Sequence, residues 1–124
     1  MSGANDSEGM GADEADVVSF DEQGLIPAVV QDAETGEVLV LAWMNRESIA
    51  QTYRTGHVTF WSRSRDELWE KGATSGHWLD LVSIQKNCEA NSFLVKAHPV
   101  GPTCHTGHQS CYYRDFDPAA DLPG

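Results

Sequence analysis

The chain has 124 residues, 40% of them hydrophobic and 22% charged, and a formal net charge of −11. This is one domain's length, enough to bury a core without disulfide staples. An acidic chain does not accumulate on nucleic acid by bulk electrostatics, and no apolar run approaches the roughly 18 residues that span a bilayer, so neither nucleic acid nor membrane is expected as a partner.

Residues 1–19 are rich in Gly, Ala, Ser, Asp and Glu and hold almost no large apolar side chain. Such a stretch buries too little surface to offset its ordering entropy and reads as a disordered acidic tail, with a partner-binding tail as the alternative. No basic region followed by an apolar block opens the chain, so no secretory signal is read and a cytoplasmic location is expected. Leu25 to Gln31 reads as a strand, Asp32 to Gly36 as a turn, and Glu37 to Trp43 as the second strand of a hairpin. The near-continuous apolar run of that second strand predicts burial on both faces. Asn45 is a good N-cap for a helix over 46–54, whose apolar stripe would be Ile49, Ala50 and Tyr53, and Gly56 fits its C-terminal end. His57 to Trp61 reads as a third strand and Ser62 to Gly76 as a polar loop. His77 to Lys86 and Ser92 to His98 read as two more strands around the turn-forming Asn87–Asn91 segment, and Ser110 to Arg114 as a short last strand. The sum is an α+β fold: a compact, strand-rich single domain with one main helix over residues 20–116, and a C-terminal tail over 117–124.

Three cysteines, Cys88, Cys104 and Cys111, are an odd number and argue against a disulfide framework. Clustered thiols in a reducing compartment bind metal or do chemistry. Zinc takes thiolate and imidazole ligands, and a catalytic site keeps three protein ligands and one open position. Cys88 with Cys104-His105-Thr-Gly-His108-Gln-Ser-Cys111 fits that open site, and its six-residue gap is not a zinc-ribbon knuckle. The plain alternative is three buried free cysteines. His105, next to a ligand, would be general acid or base, a fourth ligand, or a donor to a ligand; His108 is as well placed for a surface role.

A second signal is Trp61-Ser62-Arg63-Ser64-Arg65 with Lys71-Gly72-Ala-Thr74-Ser75-Gly76-His77. Arginine forks, hydroxyls and backbone N–H groups make phosphate sites, and the tryptophans either stack on a base or pack in the core. A third is Asn87, Glu89 and Asn91. In an extended segment these point to one side and could hold a hard cation such as Mg2+, or they are simply turn residues.

The stretches 24–45, 57–77 and 100–114, in this order and with Cys88 upstream, resemble the phosphoribosyl-AMP cyclohydrolase family over about residues 20–116. The resemblance implies hydrolysis of the N1–C6 bond of the adenine ring of phosphoribosyl-AMP in histidine biosynthesis, with water activated by zinc on Cys88, Cys104 and Cys111. It implies an intertwined homodimer whose zinc sites are shared between chains. His105 would be the catalytic proton carrier. Trp61, Ser62, Arg63, Ser64, Arg65, Lys71, Gly72, Thr74, Ser75, Gly76 and His77 would bind the nucleotide. Many family members carry three aspartates for Mg2+ where this chain has Asn87, Glu89 and Asn91, so a weakened Mg2+ site is expected. That departure leaves two alternatives: a zinc hydrolase of another nitrogen-containing ring, and a structural-zinc nucleotide-binding module closed by a fourth ligand such as His105.

Overall fold

Alternation organises the first strand. In β1, Ile26–Asp32, every second residue from Ile26 is buried, as the period of two requires when one face meets a core. β1 pairs antiparallel with β2, Val38–Met44. In the turn between them, Gly36 adopts φ 81, and the Asp32 carboxylate accepts the N–H groups of Glu34 at 2.8 Å and Thr35 at 3.3 Å. The bond from Glu34 is the main cause holding that carboxyl below the ordinary aspartate range, against its burial. The chain is a computed structural model that describes residues 17–124.

Helix α1, Arg46–Thr55, follows β2. Asn45 caps it as expected: its side chain accepts the Ser48 N–H at 2.8 Å, and Ser48 Oγ accepts the Asn45 N–H at 2.9 Å. Gly56 closes the helix in the left-handed conformation at φ 79. The expected apolar stripe is not its buried side. Tyr53 is 61% exposed, Ala50 is exposed and Ile49 only partly covered, whereas Ser48 and Thr52 are buried. Hydrogen bonds explain this. Thr52 Oγ1 donates to Ser48 O at 2.8 Å and accepts the Thr59 N–H at 2.9 Å, so a hydroxyl docks the helix onto the next strand.

The chain then forms a hairpin of β3, Thr59–Ser62, and β4, Glu67–Glu70. The polar stretch expected to be all loop therefore contains a strand. Its alternating half-buried Leu68 and Glu70 face inward between exposed Glu67 and Trp69. β5, Leu79–Lys86, and β6, Phe93–Pro99, complete a four-stranded sheet of order β2-β1-β6-β5, in which β1 and β6 run parallel. His57 joins the hairpin to this sheet. It bridges Asp80, stacks on Trp78 at 4.1 Å between centroids, and has Nδ1 3.3 Å from Glu70.

The core gathers Ile26, Val30, Leu39, Met44, Val58, Phe60, Leu79 and Val95. Full burial of such side chains stabilises by about 1.5–3 kcal/mol each. Burial of β2 on both faces does not hold within one chain, because Val38 and Leu41 are exposed. Ser110–Arg114 forms no strand; instead Ser110 Oγ donates to Val38 O at 2.7 Å and Cys111 N to Leu39 O at 2.8 Å, clipping the segment to the start of β2. Most of the expected N-terminal tail, residues 1–16, lies outside the described residues. Val18 packs on the core, and Ser19 N donates to Ala90 O at 2.8 Å. The C-terminal segment carries one exposed turn of helix, α2, Pro118–Asp121. Among the described residues, no helix is long and apolar enough to cross a membrane.

Candidate active site

After β6 the chain turns through Gly101 and winds a tight loop over 102–109. Gly107 N donates to Cys104 O at 2.9 Å, Cys104 N to His108 O at 3.0 Å, and Thr103 N to Gln109 O at 3.2 Å. These bonds fold the six-residue gap back on itself and bring the Cys111 thiol beside Cys104. Thr106 Oγ1 donates to the same sulfur at 3.0 Å and lies 2.9 Å from His108 Nδ1. A threonine hydroxyl has one proton. With that proton on the sulfur, His108 must donate through Nδ1, and its ring is held by stacking on Tyr113 at 3.6 Å.

The electrostatics follow from these contacts. The hydroxyl of Thr106 is the main cause lowering the Cys104 thiol below the ordinary cysteine value, helped by the Thr106 backbone, Cys111 and Lys71. Burial pushes Cys111 up, and the neighbouring Cys104 sulfur adds to this. The two thiols are thereby driven apart, Cys104 toward the thiolate and Cys111 toward the thiol. Lys71 lies beside both and is only 8% exposed. Desolvation lowers its ammonium pKa, and the two cysteines oppose that shift. In metal-free protein, Thr106→Val will therefore raise the pH at which Cys104 becomes alkylated by iodoacetamide, followed residue by residue by mass spectrometry. An unmoved midpoint would remove Thr106 from the account.

Cys104 and His105 share a cleft of about 520 Å³ with Arg65, Lys71, Gly72, Thr74, Ser75 and His77. Gly76 belongs to the same turn, its N–H donating to Gly72 O at 2.8 Å. Trp61, Ser62, Arg63 and Ser64 instead line a second cleft of about 680 Å³, where the Arg63 guanidinium sits 4.3 Å over Trp43. Trp69 lines both. The larger cleft holds none of the cysteines and not His105, so donor chemistry, not size, marks the smaller as the candidate active site.

Cys88 is not in this group. It sits on the turn between β5 and β6, with Asn87, Glu89 and Asn91, before β6 begins, whereas Cys104 follows the end of β6. β1 runs parallel to β6, and Cys111 is clipped to the start of β2, opposite the end of β1. The cysteine pair and Cys88 therefore lie at opposite ends of the sheet, about 20 Å apart at roughly 3.3 Å per residue. Among the described residues, no three His, Cys, Asp or Glu side chains gather as a metal group. Nor is the Asn87–Asn91 segment extended: it is a turn, with Ala90 at φ 55, and the turn, not strand alternation, brings the three side chains into contact. The sequence reading missed Thr106, Tyr113 and the burial of Lys71. Only Thr106, two residues from a cysteine, carried any signal.

A family profile described as phosphoribosyl-AMP cyclohydrolase matches residues 40–113. The chain is 57% identical over 96 residues to a protein of Roseobacter denitrificans named phosphoribosyl-AMP cyclohydrolase, covering 77% of this chain and 75% of that one. It is 54% identical over 99 residues to a protein of the same name from Lacticaseibacillus casei, covering 80% and 90%. A third, from Bordetella parapertussis and with that name, is 51% identical over 104 residues, covering 83% and 78%.

Proposed function

The chain belongs to the phosphoribosyl-AMP cyclohydrolase family, hydrolases of histidine biosynthesis, and we propose that it opens the adenine ring of phosphoribosyl-AMP at N1–C6 in a zinc-dependent site shared by two chains. The observation that carries this reading is Cys104, its thiol pKa lowered by Thr106, lining one cleft with His105 while Cys111 and Lys71 lie beside it.

The donor set fits zinc. Thiolates are its preferred ligands at about 2.3 Å, and Lys71 beside the pair offsets their negative charge. Cys104 and Cys111 would hold the metal on one chain and Cys88 of a second chain would complete it, leaving the open position of a catalytic site. A bound zinc supplies water acidified to a pKa of about 7. The chain's own groups do the rest. His105, exposed at the cleft, delivers a proton to N1 as the N1–C6 bond breaks, while the water oxygen stays on C6 as the carboxamide oxygen. Arg65 and the Thr74–Ser75 turn offer donors to one phosphate in the smaller cleft, and Arg63, Ser62 and Ser64 to the other in the larger. Trp69, lining both, separates the two ends of the substrate.

The homodimer is supported by Val38 and Leu41, which leave apolar surface on β2 uncovered in one chain. Such a biosynthetic hydrolase would work in the cytoplasm.

The test is the ultraviolet absorbance change when phosphoribosyl-AMP meets zinc-loaded protein, with Cys104→Ala as control. Ring opening by the wild type alone supports the reading. No change in protein shown to hold zinc overturns it.

A further inference from the structure

The Asn87–Ser92 turn is built as a closed chain of hydrogen bonds. Asn87 Oδ1 accepts the Asn91 N–H at 2.9 Å and the Ser92 N–H at 3.0 Å. Two backbone donors on that atom fix the amide's orientation, because the Nδ2 end could not accept them. Asn87 Nδ2 must then face outward, and it donates to Asn91 Oδ1 at 2.7 Å. That bond fixes the second amide, whose Nδ2 donates to Glu89 Oε1 at 3.2 Å. Each orientation forces the next. The turn is closed further by Asn87 N donating to Ser92 O at 3.2 Å and Ala90 N to Asn87 O at 2.9 Å.

These are the three side chains at which the family resemblance implies a Mg2+ site, and they do not fit one. Mg2+ demands octahedral oxygen ligands at about 2.0–2.1 Å and is held by carboxylates. Here only Glu89 bears a charge. Both acceptor directions of Asn87 Oδ1 are taken by backbone N–H groups, and one of the two on Asn91 Oδ1 is taken by Asn87. The Nδ2 groups of both asparagines are donors, and they occupy the positions where second carboxylate oxygens would face an ion.

We propose that the Asn87–Glu89–Asn91 hydrogen-bonded clasp replaces a divalent cation in this chain and holds the turn carrying Cys88 without one. The protein is thus indifferent to Mg2+ in its fold. The same geometry says how the dependence would return. Aspartates at 87 and 91 turn the 2.7 Å donor–acceptor contact into a contact of two anionic oxygens, with Glu89 beside them as a third. A site of that charge requires a cation.

The experiment is thermal unfolding of zinc-loaded protein with and without Mg2+, a readout that does not use the reaction and so fails separately from the cyclohydrolase reading. The wild-type Tm will not move with Mg2+. N87D/N91D will unfold at least about 5 °C lower in Mg2+-free buffer and will recover most of that on adding Mg2+. If the double variant does not fold, N91D alone sets one new carboxylate oxygen against Glu89 and carries the same contrast. A wild-type Tm that rises with Mg2+ and loses the rise in Glu89→Gln overturns the proposal, as do aspartate variants that ignore Mg2+.

Discussion

Equal amounts of Cys88→Ala and Cys104→Ala chains, each inactive alone, will regain about a quarter of wild-type activity when unfolded and refolded together with zinc. The figure follows from two-fold symmetry. Random pairing makes half of the dimers mixed. In a mixed dimer, one shared site combines the intact Cys88 of one chain with the intact Cys104 and Cys111 of the other, and the second site combines both lesions. A site closed within one chain would give no recovery, because every chain carries a lesion. The sheet geometry sets this prediction: Cys88 precedes β6 and Cys104 follows it, and two thiolates on one zinc lie within about 4 Å of each other, given Zn–S bonds near 2.3 Å. Zinc content measured on the same refolded mixture gives a second readout. It will rise with the activity, since the site that gains the metal is the site that regains the chemistry.

The elements legible in the sequence are those whose local chemistry and tertiary role agree. The β1–β2 hairpin was readable because its alternation, its Asp-to-Gly turn and its burial all point one way. The caps of α1 were readable because Asn45 and Gly56 act within a few residues of themselves. Strand β4 was not, because Glu67-Leu-Trp-Glu70 sits among charges and glycines and takes its form from pairing with β3. The buried side of α1 was misjudged for a related reason. Thr52 is buried through a bond to Thr59, seven residues on, that no periodicity announces. At the site, spacing placed Cys104 beside Cys111. It could not place Lys71 there, since the approach of β4 to the cysteine loop is a matter of tertiary packing. Cys88 is expected to meet the pair only from a second chain, as the family resemblance implies, and the strand topology carries it to the far end of the sheet from the pair of its own chain.

Gly72→Ala will lower stability by about 2–6 kcal/mol, combining roughly 1–3 for a non-glycine residue in the left-handed region with roughly 1–3 for overpacking. Gly76→Ala, four residues on, will cost only about 1–2 kcal/mol. Both glycines have positive φ, 93 and 81, so conformational strain alone predicts similar losses. The difference is what a methyl group would meet. At Gly76 nothing lies within 4 Å; at Gly72 the new carbon would come 2.6 Å from His77 C and Trp78 N and 2.7 Å from His77 O. These are backbone atoms, and the segment cannot retreat easily, since Trp78 O accepts the Val100 N–H at 2.8 Å and Gly76 N is tied to Gly72 O at 2.8 Å. Thermal unfolding will read the contrast as a Tm loss of roughly 10–20 °C against a few degrees. Equal losses would mean that the close approach carries no energy and φ alone decides. Activity will separate the pair as well. Gly72 follows Lys71 and presses on His77, and both line the cleft with Cys104 and His105. A shift there displaces the groups facing the substrate, whereas a methyl group at Gly76 enters open space. The glycine whose loss damages the fold most is therefore also the one that sets the spacing between the lysine beside the thiols and the histidine across the cleft.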